Sequence, residues 1–109
     1  MIIYCAHAYE GKEHNFRECT QIIQELQSND VDNCYLSPLH ALSYLTYNQL
    51  GQDKERELCI DLLSMCQAVY VLKDNGSKGV AYEIEMANKM DIPVFYYEPG
   101  EIIDWKEVL

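Results

Sequence analysis

Four short apolar runs divide the chain, at residues 2–6, 33–36, 68–72 and 92–97, and the apolar residues between them recur mostly at helical spacing. Runs of that length, bounded by polar residues, read as strands buried on both faces of a sheet. From Lys12 to Gln27, residues Phe16, Cys19, Ile22, Ile23 and Leu26 fall three and four apart, one face of a helix that Ser28-Asn29-Asp30 ends. A second helix is expected from about Lys54 to Cys66, capped by Asp53, with Leu58, Leu62, Leu63 and Met65 inward. A third runs from Val80 to Met90 on Val80, Ile84, Ala87 and Met90, and Asp91 stops it. Glu101 to Leu109 reads as one helical turn packed on the sheet. Leu39 to Leu50 stays open between a short helix and a partly exposed loop over a pocket.

Strands alternating with helices imply a parallel sheet with right-handed crossovers. The expectation is one domain over residues 1–109, a three-layer flavodoxin/Rossmann-like α/β fold. Its sheet has four to five strands in the order 2-1-3-4. In that order the first and third strands are neighbours and the crossover direction reverses between them. Ligands bind outside the carboxyl ends at such a switch point. The segments leaving those strands are His7 to Lys12 and Lys73 to Glu83.

The formal charge of −10, with eight scattered Lys and Arg, argues against a nucleic-acid polymer or an anionic membrane as partner. A small anion remains possible, because backbone amides at a helix N-terminus hold phosphate even in an acidic protein. Cys5, Cys19, Cys34, Cys59 and Cys66 are odd in number and form no C-x-x-C pair. They read as reduced thiols of a cytoplasmic protein. The opening MIIYCAHAY lacks the charge pattern of a signal peptide, and no stretch reaches the ~20 apolar residues of a membrane span. His7, His14 and His40 do not share metal-ligand spacing, so no metal is expected. No G-x-G-x-x-G, Walker loop or G-x-S-x-G elbow is present, and no cofactor is expected.

The stretch Ser77-Lys78-Gly79-Val80-Ala81-Tyr82-Glu83 follows a strand and opens a helix. Ser77 suits the N-cap, Gly79 lets a ligand approach the backbone, and the first-turn amides face an anion. Glu83 lies less than two turns further along the helix, where it can meet a sugar whose phosphate rests on the amides. Breaking a glycosidic bond needs such a carboxylate beneath the anomeric carbon. His7 and Tyr9, in the loop after the first strand, and His40, after Pro38, are candidate ligand contacts.

Several pieces together resemble the nucleoside 2-deoxyribosyltransferase superfamily, including its 2′-deoxynucleoside 5′-monophosphate N-glycosidases. They are IIYCAHAYEGK, the helix near Asn15-Phe16, the strand ending in Ser37-Pro38, the helix before CQAVYVL, and S-K-G-V-A-Y-E followed by IEMANKMDIPVFYY. The likeness is greatest to short bacterial and phage members of unassigned function. The resemblance implies that Ser77 and Gly79 hold a 5′-phosphate and that Glu83 is the nucleophile, ionised near neutral pH. It also implies a homodimer or higher homo-oligomer, with Leu39–Leu50 and its Tyr44 and Tyr47 as the contact. The chain departs from the glycosidases at four places. Ile3 stands where they have a first-strand tyrosine. The loop His7–Lys12 lacks their arginine. Only Glu57 and Asp61 flank Cys59, where they place an acid that helps with the sugar and leaving base. Gln67 replaces an acid before the third strand.

Three functions follow from these residues. One is an enzyme that hydrolyses or transfers the N-glycosidic bond of a small-molecule nucleoside or nucleotide. Another is a module that senses or sequesters such a ligand without turnover. The last is a structural or oligomerisation domain.

Overall fold

A computed structural model describes residues 1–45 and 51–109, the side chain of Gln52 excepted. The four strands are β1 (Ile2–His7), β2 (Cys34–Leu36), β3 (Ala68–Lys73) and β4 (Val94–Tyr96). The helices are α1 (Glu13–Asn29), α2 (Pro38–Ala41), α3 (Gln52–Leu63), α4 (Lys78–Lys89) and α5 (Trp105–Val108). All strand pairs are parallel and the order is β2-β1-β3-β4, the expected topology with the lower of the two strand counts.

Side chains alternate across the two central strands, as a period of two requires. Ile3 and Cys5 of β1 and Ala68, Tyr70 and Leu72 of β3 face α1 and α5, where Cys19, Tyr35 and Trp105 complete one core. Tyr4 and Ala6, with Val69 and Val71, face α3 and α4 and meet Leu63, Cys66, Val80 and Ala87. Helices on both sides of one sheet give the three layers. The terminal turn belongs to the first core. Trp105 is 1% exposed, edge-on to Tyr70 and Phe95, and donates its indole N–H to Tyr35 Oη at 2.9 Å.

Several local expectations are corrected. α3 begins at Gln52 behind Gly51, whose φ of 79° reverses the chain, so Asp53 lies inside the first turn and caps nothing. α3 ends at Leu63, and the turn that follows leaves Met65 54% exposed while Cys66 takes the inward position. The open stretch after β2 starts as the short helix α2, capped by Ser37 with Pro38 in its first turn. Of the proposed contact segment, Tyr44 is 73% exposed and Tyr47 lies outside the described residues. The five cysteines are free, with Cys34 exposed and Cys59 half-buried. No helix among the described residues is long and apolar enough to cross a membrane.

Candidate functional site

Two loops meet at the carboxyl ends of β1 and β3. The amide of Ala8 donates to Lys73 O at 2.8 Å, directly after a register shift between Ala6 and His7. After β1, Glu10 and Gly11 turn the chain with φ of 53° and 71°. Asn15, buried in the first turn of α1, holds that turn by donating its amide to Tyr9 O at 3.0 Å. After β3, the Asp74 carboxylate accepts the Gly76 N–H at 2.7 Å, and Asp74 O accepts the Ser77 N–H at 2.8 Å. This turn delivers Ser77 to the N-cap of α4, where its Oγ accepts the Val80 N–H at 3.3 Å. The amides of Lys78 and Gly79 have no acceptor among the described residues.

Between these loops and α3 lies a cleft of about 580 Å3, bounded by Tyr9, Glu55, Arg56, Cys59, Ser77 and Glu83 among others. A hollow of about 890 Å3 adjoins it beyond Tyr9 and Leu39, walled by Phe16, Leu42 and Leu45. The smaller space is the chemical one, because it alone of the two holds a buried carboxyl and unpaired helix amides.

Glu83 is 9% exposed and its hydrogen-bond partner is the hydroxyl of Tyr4. Burial pushes its pKa up to about 7; the Tyr4 hydroxyl opposes that rise and the charge of Glu55 adds to it. That rise runs against the expectation of Glu83 ionised near neutral pH, since it moves the carboxyl toward its protonated form there. Tyr4 itself is held neutral, its pKa raised by burial and then by Glu83. Burial and the Glu83 charge push the Cys59 thiol up to about 12, so it stays protonated and is no nucleophile at neutral pH.

The expected contacts separate into two groups. Tyr9, Ser77, Gly79 and Glu83 border one cleft. His7 borders it by its backbone, but as the odd member of the β1 alternation its ring turns to the α1 side. There Nδ1 lies 2.7 Å from Ala8 O and Nε2 lies 3.3 Å from Glu18, whose other oxygen takes Lys73 Nζ at 3.1 Å. The Lys73 hydrogen bond outweighs burial and holds the Glu18 carboxyl below its usual range. His40 also turns away from the cleft. Its nitrogens contact Ser37 Oγ and Thr20 Oγ1, both at 2.7 Å, and its ring lies 4.4 Å from that of Phe16. It fixes α2 to α1. Among the described residues no three His, Cys, Asp or Glu side chains converge as metal ligands.

Two site residues escaped the sequence reading. Tyr4, next to Ile3, bonds Glu83 because β1 presents its even positions to α3 and α4. Glu55 lies one helical turn before Cys59 on the same face, lines the cleft and is felt at Glu83. Gln67 drops out of the comparison. It pairs with Ile2 at the amino ends of the strands, across the sheet from the cleft.

A family model described as a domain of unknown function, DUF7768, matches residues 1–97. The chain belongs to that family. No curated protein matches this DUF7768 chain. Its fold is shared with a 2-deoxyribosyltransferase from the psychrotolerant bacterium Bacillus psychrosaccharolyticus (TM-score 0.64, 18% identity, 97% of this chain and 79% of that one). It is also shared with a conserved protein from Enterococcus faecalis V583 (TM-score 0.71, 18% identity, 98% and 70%). At that identity the likeness establishes the DUF7768 architecture, a deoxyribosyltransferase-like α/β sheet. The matched family segment stops before α5, so Trp105 lies outside it.

Gly79 stands beside the free amides at the N-terminus of α4. A Cβ built there meets only Ser77 Oγ, at 3.6 Å, an ordinary contact. The fold therefore does not require glycine. Gly79→Ala is expected to raise stability by about 0.5–1 kcal/mol, the helix preference for alanine. The added methyl beside the free amides is expected to weaken ligand binding. Thermal melts and ligand titration of the variant check both halves.

Proposed function

We propose that this cleft binds a small-molecule nucleoside or nucleotide and that Glu83 acts on its N-glycosidic bond, by hydrolysis or by transfer of the sugar. The observation that carries the reading is a buried carboxyl, tied to a tyrosine hydroxyl, on the same helix whose unpaired N-terminal amides open into the same cleft. The spacing suits a sugar phosphate, with the phosphate at Ser77–Gly79 and the anomeric carbon near Glu83. Ionised Glu83 attacks that carbon, and the base leaves with the bonding electrons. Water or a second base then resolves the glycosyl ester. Tyr4 steadies the carboxylate, Tyr9 borders the ligand, and Glu55 is the carboxyl nearest in influence to the departing base. The deoxyribosyltransferase of the same fold supports this reading. The tests are chromatographic detection of free base from a panel of nucleosides and nucleotides, and its loss in Glu83→Ala.

The raised pKa of Glu83 favours a second reading, in which the cleft holds the same ligand without turnover. A half-protonated carboxyl is a hydrogen-bond donor as well as an acceptor. Binding without base release, retained in Glu83→Ala, would select that reading.

On the catalytic reading the rate follows the ionised fraction of Glu83. Base release is expected to rise from pH 5 to pH 8 with a midpoint of about 7. Tyr4→Phe removes the one contact that favours the carboxylate. The variant is expected to show a midpoint at higher pH and a rate about tenfold lower at pH 7. A pH–rate profile of both proteins measures the shift.

A further inference from the structure

Arg56 stands in the second turn of α3, half-buried, and has no part in the chemistry assigned to Glu83. Its guanidinium carbon lies 5.9 Å from the centroid of the Tyr82 ring on α4, and both residues line the cleft. The chain has 18 acidic and 8 basic side chains, and four of the eight cations are paired with a carboxylate among the described residues. Arg17, Lys54, Lys73 and Lys89 each have one. Arg56 has none among the described residues, although Glu55 and Glu57 flank it in sequence. An aromatic face holds a guanidinium without consuming its five N–H donors. The Arg56–Tyr82 pair thus keeps a charged fork at the cleft wall with its hydrogen-bonding capacity unspent.

Other unspent donors share the cleft. The amides of Lys78 and Gly79 lack acceptors. Ser77, only 7% exposed, accepts the Val80 N–H, but its own hydroxyl proton meets no acceptor among the described residues. A sugar hydroxyl both gives and takes hydrogen bonds. A set of donors from two helices, joined by a guanidinium and a helix N-terminus, matches an acceptor-only anion such as a phosphate monoester.

We propose that Arg56 selects a phosphorylated ligand over its unphosphorylated parent, closing as a bidentate fork on a phosphate seated at Ser77–Gly79. The inference rests on the reading of the cleft as a nucleoside or nucleotide site. It explains why Arg56 rests on a ring instead of on a carboxylate, since an ion pair would have to break before the ligand could bind.

Calorimetry on the full chain with a 2′-deoxynucleoside and its 5′-monophosphate tests it, with inorganic phosphate as competitor. The monophosphate is expected to bind about 10- to 100-fold more tightly than the nucleoside, the range for a lost charge-assisted pair. Arg56→Gln is expected to abolish that preference while leaving nucleoside affinity within about twofold. Arg56→Lys, which keeps the charge and loses the fork, should restore part of it. Phosphate should displace the monophosphate from the unmodified protein. Circular dichroism of each variant checks that it folds. A preference that survives in Arg56→Gln overturns the assignment of Arg56 and leaves the cleft reading standing. Equal weakening of both ligands also overturns it and gives Arg56 a structural role. If neither ligand binds the unmodified protein, the cleft reading falls and this inference falls with it.

Discussion

Glu83→Gln abolishes base release, by about 10³-fold or more, while the protein remains folded; that is the result expected if this carboxyl is the nucleophile. The amide matches the carboxyl in shape and can still accept from the Tyr4 hydroxyl, so packing is kept and only the attacking charge is lost. The same variant reports the electrostatic cost of the site. The folded-state pKa of Glu83 is raised to about 7, so its contribution to stability is fully present below the unfolded value and is lost as pH rises through 7. The difference corresponds to about 3 kcal/mol at 1.36 kcal/mol per unit. Glu83→Gln is therefore expected to melt higher than the parent at pH 8, by a margin that shrinks toward pH 5. A variant that loses activity and also melts lower at every pH would instead mark Glu83 as a structural residue.

Trp105→Ala is expected to cause the largest loss of stability available from a single position, about 3–5 kcal/mol. Trp105 heads a helix of only four residues, yet it is the largest fully buried side chain among those described. Its ring fills the space between Tyr70 and Phe95, at centroid separations of 5.2 and 5.3 Å, and its N–H is satisfied by Tyr35. Alanine leaves a cavity on the α1 side and deprives the Tyr35 hydroxyl of a donor. The melting temperature is expected to fall by roughly 15 °C or more. Base release below the new melting temperature should survive, because the cleft lies on the opposite face of the sheet. A small change in melting temperature would show that the segment after Gly100 is not docked as described.

The architecture was legible because it rests on signals that tertiary packing does not override. Short apolar runs gave the strands, helical spacing gave α1 and α4, and Ser77 capped its helix as its hydroxyl predicts. The candidate cleft was legible where a strand, turn and helix follow one another, and Tyr9, Ser77, Gly79 and Glu83 do border one space. It was obscure where a strand is buried on both faces. In β1 every position is apolar or aromatic up to His7, so no alternation in polarity tells which residues face α3 and α4. Tyr4 was therefore not among the candidates, and His7 was credited with a ring that faces the other way. Glu55 was missed for a different reason. Residues two away from Cys59 point elsewhere on a helix, whereas the residue four away shares its face. Met65 was assigned inward by continuing α3 past Leu63, where a turn had already redirected the chain.

The most direct test of the central claim is a pH titration of the Glu83 carboxyl carbon by NMR, assigned through Glu83→Gln and run with and without a nucleotide. The account expects a midpoint of about 7 in the free protein and a signal that moves when nucleotide is added. A midpoint near 4.3, the value of a solvated glutamate, with a signal indifferent to every nucleoside and nucleotide tried, would contradict it.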